Sequence, residues 1–166
     1  MNEVMYFNSP TQGRVSFEEL VSSLFCFIRE EPRFFYRLII GTDSRGEVES
    51  PPLQVFVTAI IIHRVGFGGK YFWRKEHFPD LYTVRDKIYQ EALLSLDVSR
   101  RLIEKLESFP DNHLSNYDME IHVDVGNNGP TRSLIREVVG MIQSQGFVAK
   151  VKPESFGASR VAHRHT

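Results

Sequence analysis

The sequence has little cysteine, no long apolar run and almost no net charge. Its single cysteine, Cys26, cannot close an intramolecular disulfide, which excludes a disulfide-based secreted framework. Because Cys26 lies in the apolar run Leu24–Ile28, we expect a buried, inert thiol. Apolar runs such as Ala59–Ile62 fall far short of the ~20 residues that cross a membrane. No basic segment followed by an apolar stretch opens the chain, so we expect a cytoplasmic protein that does not enter a membrane.

The net charge of only −1 conceals an uneven distribution of charged residues. The chain carries 20 basic and 21 acidic residues, which is no polybasic signature of a nucleic-acid-binding protein. Residues 64–75 nevertheless hold four bases and no acid, whereas residues 76–131 hold 11 acids and five bases. Residues 132–166 are again basic. This pattern fits an acidic centre between two basic segments, although a merely uneven surface would give the same counts.

The hydrophobic periodicity predicts a single α/β domain. A length of 166 residues with 42% hydrophobic and 25% charged residues is typical of a globular protein. Helical spacing predicts a first helix over 15–31 with Ser16 as its N-cap. The pattern then predicts a strand over Phe35–Thr42, a turn at Asp43–Gly46, strands over Leu53–Val65 and Lys70–His77, a helix over Tyr82–Leu106, a strand over Tyr117–Val125, a helix to about Gln145, a strand over Phe147–Val151 and a helix over Ser155–His165.

The element order after the first helix is therefore β-β-β-α-β-α-β-α. We expect a mixed five-stranded sheet flanked by helices, in which the first three strands are antiparallel and the later βαβ connection is parallel. The extra N-terminal helix divides the chain into a helical extension, residues 1–34, and a main domain, residues 35–166.

Three carboxylates are candidates for a metal site. Asp43 ends the first strand of the main domain, Asp124 lies near the end of the fourth, and Glu91 lies near the inward edge of the long helix. If the first and fourth strands are neighbours, the two aspartates meet at the centre of the sheet, where the helix can deliver Glu91. Clustered carboxylates repel each other unless cations neutralise them, and oxygen ligands favour Mg²⁺ or Mn²⁺. Each residue also fits a simpler interpretation, namely a turn cap for either aspartate and a surface position for the glutamate.

The sequence resembles the YkuK-type family of predicted ribonuclease H-like nucleases, and the resemblance covers nearly the whole chain from residue 36. The matching stretches are Ile39–Ser44, Phe56–Ile60 with His63, Glu91 with Ser95-Leu96, Ile121–Thr131, Val139–Met141, Lys152-Pro153 and Ala158–Ala162. Of these, residues 124–131 are the most specific. The resemblance implies the ribonuclease H-like fold.

The resemblance also implies metal-ligand roles for Asp43, Glu91 and Asp124, with Mg²⁺ or Mn²⁺ as cofactor and room for two ions. Ribonuclease H-like enzymes usually add a fourth acidic residue on the last helix, where this sequence has His163. His163 is therefore a candidate ligand or proton relay, or a plain surface histidine. His122, two residues before Asp124 on the same strand face, is either a support for that carboxylate or a core histidine.

Other polar residues are candidates for contacts with a nucleic acid. The loop Gly126–Thr131 precedes a helix, so Asn127, Asn128 and Thr131 in the loop could border a phosphate. Ser44, next to Asp43, is a further candidate for such a contact. Lys70 and Arg74 alternate with aromatic residues in a hairpin, a pattern that suits backbone contacts and base stacking. Lys152 on the fifth strand could extend that track. A plain βα turn and a packed hairpin with solvated lysines fit the same residues.

The leading hypothesis is a divalent-metal-dependent nuclease that hydrolyses phosphodiester bonds in DNA or RNA. The alternative is a nucleic-acid-binding module that keeps the fold and has lost catalysis, which the histidine at 163 motivates. A nucleotide phosphotransfer activity at the Gly126–Thr131 loop is a weaker third option. The sequence does not separate DNA from RNA, nor does it determine the oligomeric state.

Overall fold

The computed structural model describes residues 4–47, 53–79, 83–110, 116–129 and 131–166. The elements in chain order are β1 (Tyr6–Ser9), β2 (Gly13–Ser16), α1 (Phe17–Glu30), β3 (Tyr36–Glu47), β4 (Leu53–Arg64), β5 (Gly69–Pro79), α2 (Val84–Glu107), β6 (Tyr117–His122), a 3₁₀ turn (Arg132–Leu134), α3 (Ile135–Ser144), β7 (Val148–Lys150) and α4 (Phe156–His165).

Within the described ranges, seven strands form one mixed sheet in the order β2-β1-β5-β4-β3-β6-β7. β3, β4 and β5 pair antiparallel, while β6 pairs parallel to β3 and β7 pairs parallel to β6. The predicted α/β class, the antiparallel meander and the parallel βαβ connection are therefore confirmed. The predicted strand count of five is too low by the two strands of the N-terminal hairpin.

Helices cover both faces of this sheet, because the central strands are apolar on both sides. Ile60 and Ile62 of β4 join the larger core with α1 and α2, while Val57 and Ala59, at alternate positions, pack with Ala162 of α4. A second cluster joins α2 and α3 to β6 and includes Ile121. Thus α1, α2 and α3 lie on one face and α4 lies on the other.

The N-terminal hairpin, β1 and β2, escaped prediction because each strand has only four residues and the segment is polar. Tyr6 is exposed and Phe7 is buried, so the alternation of a half-buried strand exists but is too short to recognise. The hairpin joins the sheet where Asn8 pairs with Trp73 of β5. Ser16 ends β2 and caps α1 as predicted, with its hydroxyl accepting from Glu19 N–H at 3.2 Å. The boundary between residues 34 and 35 stays a prediction.

The predicted turn at Asp43–Gly46 is wrong, because β3 continues through it. Each residue of this segment pairs with β4, as far as Glu47 opposite Leu53. The Asp-Ser-Arg-Gly sequence favours a turn locally, but the long apolar strand β4 offers a ladder partner along the whole length. Tertiary pairing thus overrides the local preference.

Other boundaries differ from the predictions by a few residues. The helix predicted from Tyr82 begins at Val84, and residues 80–82 lie outside the described ranges. β6 ends at His122 rather than Val125. The helix that follows residue 131 starts as a 3₁₀ turn, and Gly146, with φ 86°, ends it as predicted. Cys26, expected to be buried, is exposed on the outer side of α1.

α4 lies unusually close to the sheet at Gly41 of β3. A Cβ atom at this position would lie 2.5 Å from Ala158 Cβ and 3.1 Å from the carbonyl oxygen of His122. The position therefore requires glycine, and the close approach determines where the end of α4 stands over β3. No helix in the described part of the chain is long and apolar enough to cross a membrane.

Candidate metal centre

Asp43 and Asp124 lie just beyond the point where two central strands separate. The parallel pairing of β3 and β6 ends at Gly41 opposite His122, and each aspartate follows two residues later along the chain, Asp43 within β3 and Asp124 beyond the end of β6. Beyond that pair the chain turns toward β7, since Val123 N–H donates to Lys150 O at 2.9 Å. Two carboxylates are therefore brought to one edge of the opening between the strands. This is the adjacency that the sequence predicted for the first and fourth strands of the main domain.

Glu91 reaches the same region from α2. Its side chain is buried, with 8% of the residue exposed, and Ser44 donates its hydroxyl proton to Glu91 Oε1 at 2.5 Å. One turn later, Ser95 anchors the helix through a buried hydrogen bond of 2.9 Å to Thr42, which also bonds Thr58 at 3.0 Å. The buried polar residues Glu91, Ser95 and Ser99 follow one another at intervals of four on a helix face that is apolar elsewhere. This spacing was a signal for the docking that the sequence reasoning missed.

Burial and neighbouring carboxylates raise the pKa values of Glu91 and Asp43. Burial raises the pKa of Glu91 to about 8, and the charges of Asp43 and Asp124 add to that rise against the opposing hydrogen bond from Ser44. Burial also raises the pKa of Asp43, with a further contribution from Asp124, while the Ser44 amide and His163 act in the opposite direction. Negative charge is thus unfavourable here unless a cation compensates it.

Two basic side chains of the protein supply part of that compensation. Lys152 Nζ lies 2.7 Å from Asp124 Oδ1, and His163 Nδ1 lies 3.4 Å from Asp43 Oδ2. His163 projects from α4 with 82% of its side chain exposed. Nearby, the ring of His165 stacks on Trp73 at 3.7 Å and 7°, which fastens the end of α4 to β5.

The donor set matches a hard divalent cation, although the carboxylates are not arranged around one. Only oxygen ligands come from Asp43, Glu91 and Asp124, as Mg²⁺ and Mn²⁺ prefer. Among the described residues, no three His, Cys, Asp or Glu side chains converge on a common point for an ion. The physical reason is that each carboxylate is turned toward its own partner, namely His163, Ser44 or Lys152. A cation held here would favour the ionised forms of Glu91 and Asp43, whose pKa values burial raises.

Neither ring nitrogen of His122 forms a hydrogen bond with Asp124. The histidine is 5% exposed, its Nε2 lies 3.0 Å from Glu120 Oε2, and its Nδ1 is buried without a hydrogen-bond partner. Burial lowers the pKa of His122, and Glu120 acts against that change. Glu120 in turn lies 3.4 Å from Arg37 Nε. The histidine therefore belongs to a polar group between β6 and α4, and its support of Asp124 stays a prediction.

The loop after Asp124 supplies exposed side chains beside the carboxylates. Asn127 and Asn128 are exposed, and Gly129 adopts φ 87°, which favours glycine. Thr131 is half-buried and makes no side-chain cap to the 3₁₀ turn that follows. The expected α-helix N-terminus is thus separated from the loop by three residues of 3₁₀ helix, and Pro130 lies outside the described residues.

The structure does not bring Lys70 and Arg74 to the carboxylates. Lys70 pairs with Ile62, which pairs with Leu38, five positions along β3 from Asp43 and so ~17 Å away. Its ammonium lies 5.2 Å from the ring of Phe27 on the α1 side of the sheet. Arg74 forms a 3.1 Å ion pair with Glu76. Register, which the sequence does not display, therefore separates Lys70 from the site, whereas Arg74 lies in the row of Thr42, next to that of Asp43, and is held by Glu76.

Lys75, rather than Lys70 or Arg74, lies in the same row of the sheet as Asp43. It pairs with Val57, which pairs with Asp43, so all three residues share one row across β3, β4 and β5. Its charge lowers the pKa of His165, after the larger effect of burial, and so Lys75 faces α4. The basic residue nearest to the site in the hairpin is therefore one strand position beyond Arg74.

Comparisons with known proteins identify the family of the chain. The Ribonuclease H-like family matches residues 19–166. The chain is 31% identical to the "Uncharacterized protein YkuK" of Bacillus subtilis (strain 168), over 100% of this chain and 99% of that protein. No solved structure gives a significant match. Both matches include the segments that carry Asp43, Glu91 and Asp124.

Proposed function

Because the chain belongs to the ribonuclease H-like family, we propose that it is a divalent-metal-dependent nuclease that hydrolyses phosphodiester bonds in DNA or RNA. The observation that carries the proposal is the placement of Asp43 on β3, Glu91 on α2 and Asp124 just beyond β6. Burial raises the pKa of Glu91 there, with further contributions from Asp43 and Asp124, and Asp124 also contributes to the raised pKa of Asp43. Buried carboxylates of this kind cost folding free energy unless a cation compensates their charge, and such groups cluster at functional sites.

Asp43, Glu91 and Asp124 would hold Mg²⁺ or Mn²⁺. Bound there, the ion would polarise a phosphoryl oxygen and lower the pKa of a water molecule, which makes that water a better nucleophile at neutral pH. Ser44 orients Glu91 through its hydrogen bond of 2.5 Å. His163, at 3.4 Å from Asp43, is the candidate for moving a proton at the exposed side of the site.

Exposed polar groups around the carboxylates suit a nucleic-acid backbone. Asn127 and Asn128 are exposed beside Asp124, and Lys152 carries a positive charge at the same edge. Phosphate contacts from such residues position a strand without reading its sequence. The partner we propose is therefore a nucleic acid, with the choice between DNA and RNA left to the assay.

The test combines cleavage with metal binding. We expect the purified protein to cleave labelled DNA, RNA or a hybrid with Mn²⁺ or Mg²⁺, and the Asp43→Asn and Asp124→Asn variants to lose that activity and to bind Mn²⁺ more weakly in calorimetry. Asp118→Asn is the matched control, since Asp118 is exposed on β6, the strand that leads to Asp124, and pairs with Arg37, six positions along β3 from Asp43. Full activity in Asp43→Asn and Asp124→Asn would refute the proposal.

A non-catalytic nucleic-acid-binding protein is the second candidate, and one observation favours it. His163 stands where the family resemblance implies a fourth acid, and it is paired to Asp43 rather than turned away. This alternative predicts salt-sensitive binding of oligonucleotides with no product, even after long incubation with Mn²⁺. Detection of cleavage that depends on Asp43 would exclude it.

A further inference from the structure

Lys152 is built into the edge of the carboxylate group. Its ammonium lies 2.7 Å from Asp124 Oδ1, and its backbone N–H donates to Val125 O at 2.9 Å. The backbone of Lys152 is thus tied to the strand end that carries its partner. Its side chain, however, is 57% exposed, so the charged end is in contact with solvent.

Gly126 makes room for this side chain. A Cβ at Gly126 would lie 3.3 Å from Lys152 Cβ and 3.5 Å from Lys152 Cδ, so the aliphatic stem lies against the glycine backbone. The Lys152 backbone is therefore held while the four-carbon stem runs over a surface without side-chain obstacles. A lysine of this kind can exchange partners without moving the main chain.

We propose that Lys152 is a resident counter-cation, which neutralises Asp124 when no divalent ion is bound and passes to a phosphate of the nucleic acid when an ion replaces it. The inference rests on the proposed function, because it requires a metal at Asp124. Electrostatics gives the reason: an ammonium and a divalent ion at one carboxylate repel each other, and the ion attracts the carboxylate more strongly. A displaced ammonium beside exposed Asn127 and Asn128 then lies where a phosphate would pass.

The inference predicts effects of opposite sign from one substitution. Lys152→Met removes the competing charge and keeps an apolar stem, so the affinity for Mn²⁺ should rise about 1.5- to 5-fold, as expected for loss of a partly exposed ion pair. The same variant should bind an oligonucleotide more weakly, with the slope of log K against log salt reduced by about 1. Lys152→Arg keeps the charge and should bind Mn²⁺ like the unaltered protein.

Lys150 offers a matched control two residues away. Its ammonium lies 3.6 Å from Glu154 Oε2, and its side chain is 35% exposed. Lys150 therefore pairs with a different carboxylate from the one that Lys152 contacts. Lys150→Met should leave Mn²⁺ affinity unchanged. The experiment is calorimetric titration of Mn²⁺ into the unaltered protein, the Lys152 and Lys150 variants and Asp124→Asn, followed by fluorescence anisotropy with a labelled oligonucleotide over a range of salt concentrations.

The outcomes separate this inference from the proposed function. If the protein binds Mn²⁺ and Asp124→Asn weakens that binding, but Lys152→Met leaves it unchanged or weakens it, the counter-cation role is wrong and the metal centre stands. Equal strengthening by Lys150→Met would also refute it, because the effect would then reflect net charge alone. If neither the unaltered protein nor any variant binds Mn²⁺, the proposed metal centre and the inference fail together.

Discussion

Replacing Glu91 by glutamine should stabilise the metal-free protein at neutral pH. Glu91 is 8% exposed and accepts a hydrogen bond from Ser44, a contact that the amide oxygen of glutamine can also accept. Glutamine has nearly the same shape but never ionises. The substitution therefore isolates the cost of the buried charge from the packing of the side chain.

The sign and size of the effect follow from the pKa. In the folded protein the pKa of Glu91 is raised from its ordinary value of 4.5 to about 8, so between those values the folded state keeps a proton that the unfolded state has lost. The contribution of Glu91 to the free energy of unfolding is then fully present below about pH 4.5, falls as the pH rises, and is lost above about pH 8. At 1.36 kcal/mol for each pKa unit, the loss by pH 7 is about 3 kcal/mol as an upper limit.

Urea denaturation in the presence of a chelator measures this loss. The unaltered protein should lose on the order of 2–3 kcal/mol between about pH 5 and pH 7, and the Glu91→Gln variant should lose much less. Added Mn²⁺ should restore stability to the unaltered protein at neutral pH and do little for the variant. Glu104→Gln, an exposed change of the same type on α2, is the control. Parallel pH profiles for the unaltered protein and Glu91→Gln would refute the reasoning.

Two further substitutions test the architecture around the site. Gly41→Ala should lower the free energy of unfolding in urea by about 1–3 kcal/mol, because the new Cβ would lie 2.5 Å from that of Ala158. Gly140→Ala is the control, since a Cβ there meets no atom within 4 Å, and it should stabilise α3 by ~0.5–1 kcal/mol. Equal effects at the two sites would contradict the close packing of α4. His163→Asp should strengthen Mn²⁺ binding by on the order of tenfold, or ~1.4 kcal/mol. It should also destabilise the metal-free protein, because it places a second negative charge next to Asp43. An unchanged calorimetric affinity for Mn²⁺ would show that α4 does not reach the ion.

Much of the site was predictable from local patterns. Strict alternation over Tyr117–Val125 predicted a strand that leads to Asp124, and the apolar run before Asp43 predicted a strand that leads to that residue, although β3 continues past Asp43. Parallel pairing of those strands then brings the two carboxylates together, as β3 and β6 do. Glu91 was recognisable as a carboxylate at the edge of an apolar helix stripe, which is costly to bury without compensation.

Features that depend on pairing register or on distant packing were not predictable. The register of β3, β4 and β5 puts Lys75 rather than Lys70 in the row of Asp43, and nothing in the hairpin sequence shows that register. The contact of Lys152 with Asp124 depends on how β7 and the residues after it cross the end of β6. Local turn preference likewise predicted a break at Asp43–Gly46 that strand pairing removed.

The sequence by itself determined the order of the elements, the mixed sheet and the three carboxylates, because side-chain periodicity and strand ends are local properties of the chain. Only the tertiary structure decided which positive charges accompany the carboxylates. It also extended β3 past Asp43, added the N-terminal hairpin to the sheet and placed α4 against Gly41. Those features arise from contacts between residues far apart in sequence, whose register and spacing no local pattern encodes.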